Sequence, residues 1–361
     1  MRHLLLSVLA VLGICVAPCY AAPGQFAVTD YGAVCNGTTD DTLAIQATIA
    51  AAFPGGTVVL PATRCTISQT LVFGDPTSAQ RTSFISLEGS NPITSQLAWK
   101  GPTSGVAIRL VRNKYFTFQR FGLLNMAGTR GSLTGIELGG YGNAGGTETL
   151  QGDIRQVNVQ GFNINVQAGA NGAASSEIRY DHLELSNANI CWQNDNFNTL
   201  NHVFTMLTMG SCGIGVRQWV GNISVRGGAT DHNGIDFMLD GDVAQIEGVR
   251  AELDPGAIFV KVHILNSALR LSHNIVTGAM GEALHIYVAR FATVVDNLFR
   301  SPIRVEQYVW PGMFLLENNM LWAPAMDSPV DWPARNFSRY RFAGNANLSN
   351  WQQFPDAAGV R

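Results

Sequence analysis

Short runs of alternating apolar and polar residues fill most of the chain. Each opens at a glycine or another small or turn-forming residue. They read GIELGG from 135, NINVQA from 163, NICWQND from 189 and GIGVRQW from 213, then GIDFMLD from 234, AIFVKVH from 257, ALHIYVA from 283 and PIRVEQY from 302. A period of two predicts strands. Their first apolar positions are Ile136, Ile164, Ile190, Ile214, Ile235, Ile258, Leu284 and Ile303, with gaps of 28, 26, 24, 21, 23, 26 and 19 residues. A solenoid coil needs roughly 20–28 residues, so each run predicts one coil. A second marker keeps the phase. Asn274, Asn297 and Asn319 follow apolar strands at gaps of 23 and 22, and Asn158 takes the same place further back. Asparagines stacked at one turn can bond from coil to coil. Two markers with one period predict a solenoid rather than a sandwich. A doubly wound sheet is excluded, because no helical segments separate the strands. Nine or ten coils at about 4.8 Å each would make a rod roughly 45 Å long.

The alternating pattern gives way to a helical one near the start. Thr38-Thr39-Asp40-Asp41 supplies capping groups and negative charge for a helix N-terminus. Leu43, Ile45, Ala47, Ile49 and Ala50 follow, and Pro54-Gly55-Gly56 ends the segment. Thr57 to Leu60 is then a strand, closed by Pro61. An open solenoid end exposes strand edges, and a helix over 40–52 can cover one of them. The Pro- and aromatic-rich tail over 323–361 can cover the other or fold over the side.

DYGAVCNGTTDDTLAIQATIAAA followed by GGTVVLPATRCTIS resembles the N-terminal signature of the pectate lyase superfamily. The branch concerned opens with FGA-x-x-DG-x-TDDT-x-AIQ-x-A before a GGTV-x-x-P-x-G-x-Y strand. The match covers 28–68, read here as the N-terminal cap and first strands. Asn36 replaces the usual aspartate, and Arg64-Cys65 the usual aromatic entry. The resemblance implies an all-β fold: a single-stranded right-handed parallel β-helix with a short N-terminal capping helix. It also implies work on polysaccharides, since the family holds lyases, polygalacturonase-like hydrolases, uronate epimerases and phage tailspikes. It leaves the chemistry open.

Composition narrows the setting. Arg2 and His3 precede an apolar run from Leu4 to Val16, and Cys19-Tyr20-Ala21 closes it, so 1–21 reads as a secretory signal peptide. The rest, 22–361, reads as one domain with no linker. It holds 22 basic and 26 acidic residues, a net charge of −4. That argues against nucleic acid as a partner. No later stretch is apolar enough to span a membrane. A secreted or periplasmic protein follows, with an extracellular polysaccharide as partner. Four cysteines remain after the leader. Export permits disulfides, and Cys35–Cys65 would tie the opening loop to the first strands. Cys191 and Cys212 are 21 apart at different in-coil positions, so a bridge and two buried thiols both stay open.

If the first apolar residue of each run points inward, its neighbours point outward. The outward set is then Glu137, Asn165, Gln167, Gln193, Asp195, Arg217, Trp219, Asp236, Met238, Asp240, Phe259, Lys261, His263, His285, Tyr287, Arg304, Glu306 and Tyr308. In the resembled family such a strand and the loops before it line the substrate groove. Asp231 and His232, just upstream of one run, would overhang it. β-Elimination from a uronate polymer needs a cation for the carboxylate, a base for the C5 proton and an acid for the leaving oxygen. Arg217, Lys261 and Arg304 are the candidate cations. Lys261, His263 or His285 is the candidate base, and Tyr287 the candidate proton donor. Lys261 is one of only three lysines. Calcium could replace the cation, held by the hard oxygens of Asp236 and Asp240, although no calcium-binding spacing supports it. Otherwise no cofactor is implied.

Hydrolysis instead needs two carboxylates across the bond, drawn from Asp195, Asp231, Asp236 and Asp240. The NTD, GHG and RIK motifs of polygalacturonases are absent. Epimerisation uses the same groups as elimination. The candidate catalytic set is therefore Lys261, His263, Asp236, Asp240, His285 and Arg304. Asp195, Arg217, Trp219, Asp231, Tyr287, Glu306 and Tyr308 are candidate substrate contacts. Elimination is favoured over hydrolysis, and a non-catalytic carbohydrate-binding or structural solenoid is the alternative of another class. His182 and His202 read as core or ladder residues.

Overall fold

A computed structural model describes residues 24–75, 82–139, 148–170, 173–196, 198–278, 280–305, 313–321, 330–331, 339–347 and 357–360. The expected signal peptide, Glu306, Tyr308 and much of the 323–361 tail lie outside the described residues.

The chain winds into a mostly parallel β-helix of about nine turns with one short helix near its N-terminus. Its strands form three ladders. Thr117–Asn125, Asp153–Gln160, Arg179–Ser186, His202–Gly210, Asn222–Asp231 and Val243–Glu252 each serve two of them. Their first halves stack in the first sheet and their second halves in the second, always parallel and in register. One left-handed residue bends each strand between the two: Arg120, Gln156, His182, Met206, Gly227 and Gly248, followed in later coils by His273, Asp296 and Asn318. A positive φ at a single residue reverses the local twist of the chain and turns it through a corner.

The residue after that bend points inward. It is apolar in Phe121, Val157, Leu183, Leu207 and Val249, all at most 2% exposed. In the last coils it becomes Asn274, Asn297, Asn319 and Asn345, equally buried. Each Asn side-chain oxygen accepts the backbone N–H of the preceding rung, at 2.9 Å from Asn274 to Asn297 and 3.0 Å from Asn319 to Asn345. Their Nδ2 groups donate to Ile246, Leu271, Val294 and Leu316 carbonyls. Buried amides are thereby fully engaged, as burial demands. Asn158 is not a rung. It sits one residue past the column, in register with Gly122 and Glu184.

Aromatic side chains fill the interior. Tyr180 stacks on Phe204 at 4.5 Å, and Trp192 meets Phe204 edge-on at 5.3 Å. His202 is fully buried beside them, with Nδ1 3.0 Å from the Tyr180 hydroxyl and Nε2 2.8 Å from the Ser175 carbonyl oxygen. Burial pulls its pKa down to about 4. His182, by contrast, is exposed at its bend and pairs with Asp181.

The helix Thr42–Ala52 buries Ile45, Ile49 and Ala52 against the first coil. Gln46 bonds both polar groups of Val72, donating to its carbonyl at 3.2 Å and accepting its N–H at 2.9 Å. The Thr-Asp-Asp motif has two jobs. Asp40 accepts the Thr42 N–H at the helix start, and buried Asp41 accepts N–H groups of Val34, Cys35 and Thr66. The disulfide Cys35–Cys65 closes the same loop. Cys191–Cys212 is also bridged and links two neighbouring coils. At the other end, Arg339–Ala343 continues the parallel stack, and Ala357–Val360 pairs with it antiparallel.

Candidate functional site

Most of the candidate residues lie on the third sheet. It stacks Ser104–Leu110, Ser132–Leu138, Ile164–Ala168, Ile190–Asn194, Ile214–Gln218, Ile235–Leu239, the starts of Ile258–Ser272 and Glu282–Val295, and Ile303–Val305. Ile164, Ile190, Ile214, Ile235 and Ile258 are in register, but they point outward and are half-buried. The next residue of each strand is buried. The pairing runs from Ile164↔Ile190 to Val166↔Trp192 and skips the position between. Two successive residues therefore face inward at this corner, and simple alternation fails there. Ile136, Leu284 and Ile303 belong to the following, inward column.

This corner corrects three placements. Asn165, Asp236 and Phe259 are not outward but buried in the interior, each at most 1% exposed. Asp236 accepts hydrogen bonds from Thr230 Oγ1 and Asn233 Nδ2, both at 2.8 Å. Burial pushes its carboxyl up to about 7, against those two hydrogen bonds, and the Asp231 charge raises it further. It cannot reach a substrate on the outer face. Nor can it share a calcium ion with Asp240, which lies on the opposite side of the strand. Asp236 thereby drops out as a hydrolase carboxylate and as a calcium ligand.

Two outward columns remain, side by side. The first runs Arg109, Glu137, Gln167, Gln193, Arg217, Met238, Lys261, His285 and Arg304 in unbroken register. The second, two residues on, holds Asp195, Trp219, Asp240, His263 and Tyr287. Lys261, His285 and Arg304 thus lie on consecutive coils, about 4.8 Å apart. His263 stacks on Tyr287 at 5.6 Å between rings and sits 3.4 Å from Asp240. Asp240 is nearly buried, with 8% of its side chain exposed. The Arg217 guanidinium lies 3.8 Å over the Trp219 ring. Asp195 accepts the amides of Gln167 and Gln193.

Glu282 is a member that the sequence pattern did not single out. It takes the column position held by Ile258 one coil earlier. Its carboxylate meets His285 Nδ1 at 2.8 Å and Arg304 at 3.3 Å. The signal was an acid where every preceding coil from Ile164 onward has isoleucine. Lys261 makes no ion pair among the described residues. Asp231 does not overhang this surface. It ends a strand of the second sheet, in register with Gly210 and Glu252, and pairs with His232. Glu306 and Tyr308 fall outside the described residues.

The members of this face combine cations, imidazoles and a phenol stacked on one of them. Such a set can neutralise a carboxylate, take a proton from carbon and return one to oxygen. No known family profile and no curated protein matches the chain. Solved structures do. An Acinetobacter phage vb_AbaP_AS12 gp42 tailspike superposes with a TM-score of 0.62 at 8% identity, covering 93% of this chain and 64% of its own. PfbA, a surface adhesin of Streptococcus pneumoniae, gives 0.57 at 12% identity, covering 90% and 92%. The Azotobacter vinelandii mannuronan C-5 epimerase AlgE6 A-module gives 0.51 at 16% identity, covering 89% and 99%. The chain spans less than two thirds of the tailspike's length. At these identities the likeness shows the parallel β-helix fold.

Proposed function

We propose that the protein acts on an acidic, uronate-containing polysaccharide outside the cytoplasm, by abstracting the C5 proton. Elimination is the favoured outcome, and epimerisation shares its first step. The observation that carries this reading is the unbroken register Lys261–His285–Arg304, with the Glu282 carboxylate beside His285 and Arg304. A tailspike and an epimerase module with the same fold are in keeping with a carbohydrate ligand.

In this reading Lys261 and Arg304 flank the uronate carboxylate and stabilise the charge that develops when C5 loses its proton. His285 lies between them. With Nδ1 facing Glu282, its imidazole is the group assigned to take that proton. Tyr287, stacked on His263 and backed by Asp240, stands in the neighbouring column to protonate the leaving oxygen. Arg217 over Trp219 offers a charged aromatic platform for the next sugar. A hydrolase would need two facing carboxylates, and burial of Asp236 removes one of those the sequence offered.

The test is direct. The protein is incubated with pectate, alginate and other acidic polymers while the ultraviolet absorbance of unsaturated uronides is followed. A rise supports elimination. Deuterium uptake from solvent at C5 without chain cleavage means epimerisation. New reducing ends without absorbance mean hydrolysis and overturn the proposal. Binding with no reaction would make the protein a carbohydrate-binding module.

A further inference from the structure

We propose a second carbohydrate site, on a different face, that takes an uncharged oligosaccharide. It rests on the reading of the protein as polysaccharide-acting but uses none of the residues above. A cleft of about 400 Å³ is lined by Tyr115, Gln151, Glu177, Arg179 and Asn201, where the chain enters the first sheet. That volume lies within the roughly 300–1,000 Å³ usual for small-ligand clefts.

Four of these residues occupy one corner on four consecutive coils. Tyr115, Gln151, Glu177 and Asn201 all have left-handed backbones, with φ of 51°, 54°, 59° and 57°. The Tyr115 N–H donates to Leu150 O, Gln151 N–H to Ser176 O and Glu177 N–H to Leu200 O, so each is locked one coil above the next. Coils are about 4.8 Å apart, so the line from Tyr115 to Asn201 runs about 14 Å. All four side chains are exposed. The same left-handed corner repeats from coil to coil, so these four side chains rise in one line.

The side chains fit a sugar chain. Tyr115, 66% exposed, stacks on Phe84, 43% exposed, with centroids 6.2 Å apart and planes at 16°. Both rings are exposed, and Tyr115 also lines the cleft. Beyond the rings come two carboxamides, a carboxylate and a guanidinium, planar groups that bond hydroxyls in pairs. Charges in and beside this cleft offset one another: Glu177 and Arg179 are of opposite sign, and Asp153 pairs with both Arg155 and Arg179. A balanced cleft has no preference for a carboxylate, and its binding should be insensitive to salt.

The test is native electrophoresis through gels holding galactomannan, hydroxyethyl cellulose or mixed-linkage β-glucan. Neutral hexasaccharide titrations at low and high salt follow. At least one polymer should retard the protein, and 1 M salt should leave the retardation unchanged. Tyr115→Asn, which suits a left-handed backbone, should weaken binding about tenfold. Tyr115→Phe, which keeps the ring, should retain binding. Lys261→Ala should leave it intact. No retardation in any gel overturns the proposal. So does retardation lost with Lys261→Ala but kept in Tyr115→Asn. Tyr115-dependent retardation without turnover of acidic polymers would leave this cleft standing and the proposed reaction refuted.

Discussion

The outer column of the third sheet changes character halfway along the rod. In the early coils it is closed on itself. Arg109 bonds Glu137 at 2.6 Å, Glu137 is only 4% exposed, and Gln167 and Gln193 donate to Asp195 of the neighbouring column. Burial holds the Glu137 carboxyl above its usual range, although Arg109 pulls it back. In the late coils the same column presents Arg217, Lys261, His285 and Arg304. Inside the rod a parallel switch occurs, from apolar residues up to Val249 to asparagines from Asn274. One backbone register thus serves structure in its first half and the proposed chemistry in its second. The difference lies in where the acid sits: Glu137 is buried within the column, whereas Glu282 comes from the neighbouring column of isoleucines.

The largest effect expected of this contrast is on turnover. Lys261→Ala should lower the rate of unsaturated uronide formation by about 10²–10⁴-fold with the unfolding midpoint unchanged. Arg109→Ala should do the reverse. Activity stays, and urea unfolding shows a loss of about 2 kcal/mol, because Glu137 is left buried without its partner. Asn297→Ala should cost a similar amount, about 2 kcal/mol, by stripping partners from the Asn274 N–H and the Leu271 carbonyl. Val157→Ala, in the same column of an early coil, should cost only its packing, about 1–2 kcal/mol.

A separate effect, on pH dependence, concerns Asp236. Its pKa is raised from 3.8 to about 7 in the folded chain. A raised acid favours folding below the unfolded value and loses that favour as pH climbs through the folded one. Stability should therefore decline between about pH 4 and pH 7. Asp236→Asn should flatten that slope in denaturant titrations at several pH values. An unchanged slope would show that other groups govern it.

Much of this arrangement was legible in the chain. The coil period came from Ile164, Ile190, Ile214, Ile235 and Ile258, and three of the four ladder asparagines from their spacing. Asn345 was hidden in a segment whose proline and aromatic content suggested a cap. The bends carried no signal at all. Their left-handed position takes Arg, Gln, His, Met, Gly, Asp and Asn, because its side chain faces solvent and any residue is tolerated there. The corner before Val166 was equally silent. Reading it as plain alternation turned Asp236 outward and the isoleucines inward, both opposite to their positions in the fold. Glu282 escaped for the same reason, since its column was taken for core. The adjacency of Lys261, His285 and Arg304 did not suffer, because the corner lies upstream of all three.

The positions of the two disulfides set how this rod would respond to being pulled. Both lie before residue 213, and the coils that carry Asp240 to Arg304 come after. Drawn out from its C-terminal end, the chain should unreel one turn at a time, each step resisted only by hydrogen bonds and packing. The covalent stop comes at Cys212, by which point the late half of the outer column has gone slack while the early half still holds its shape.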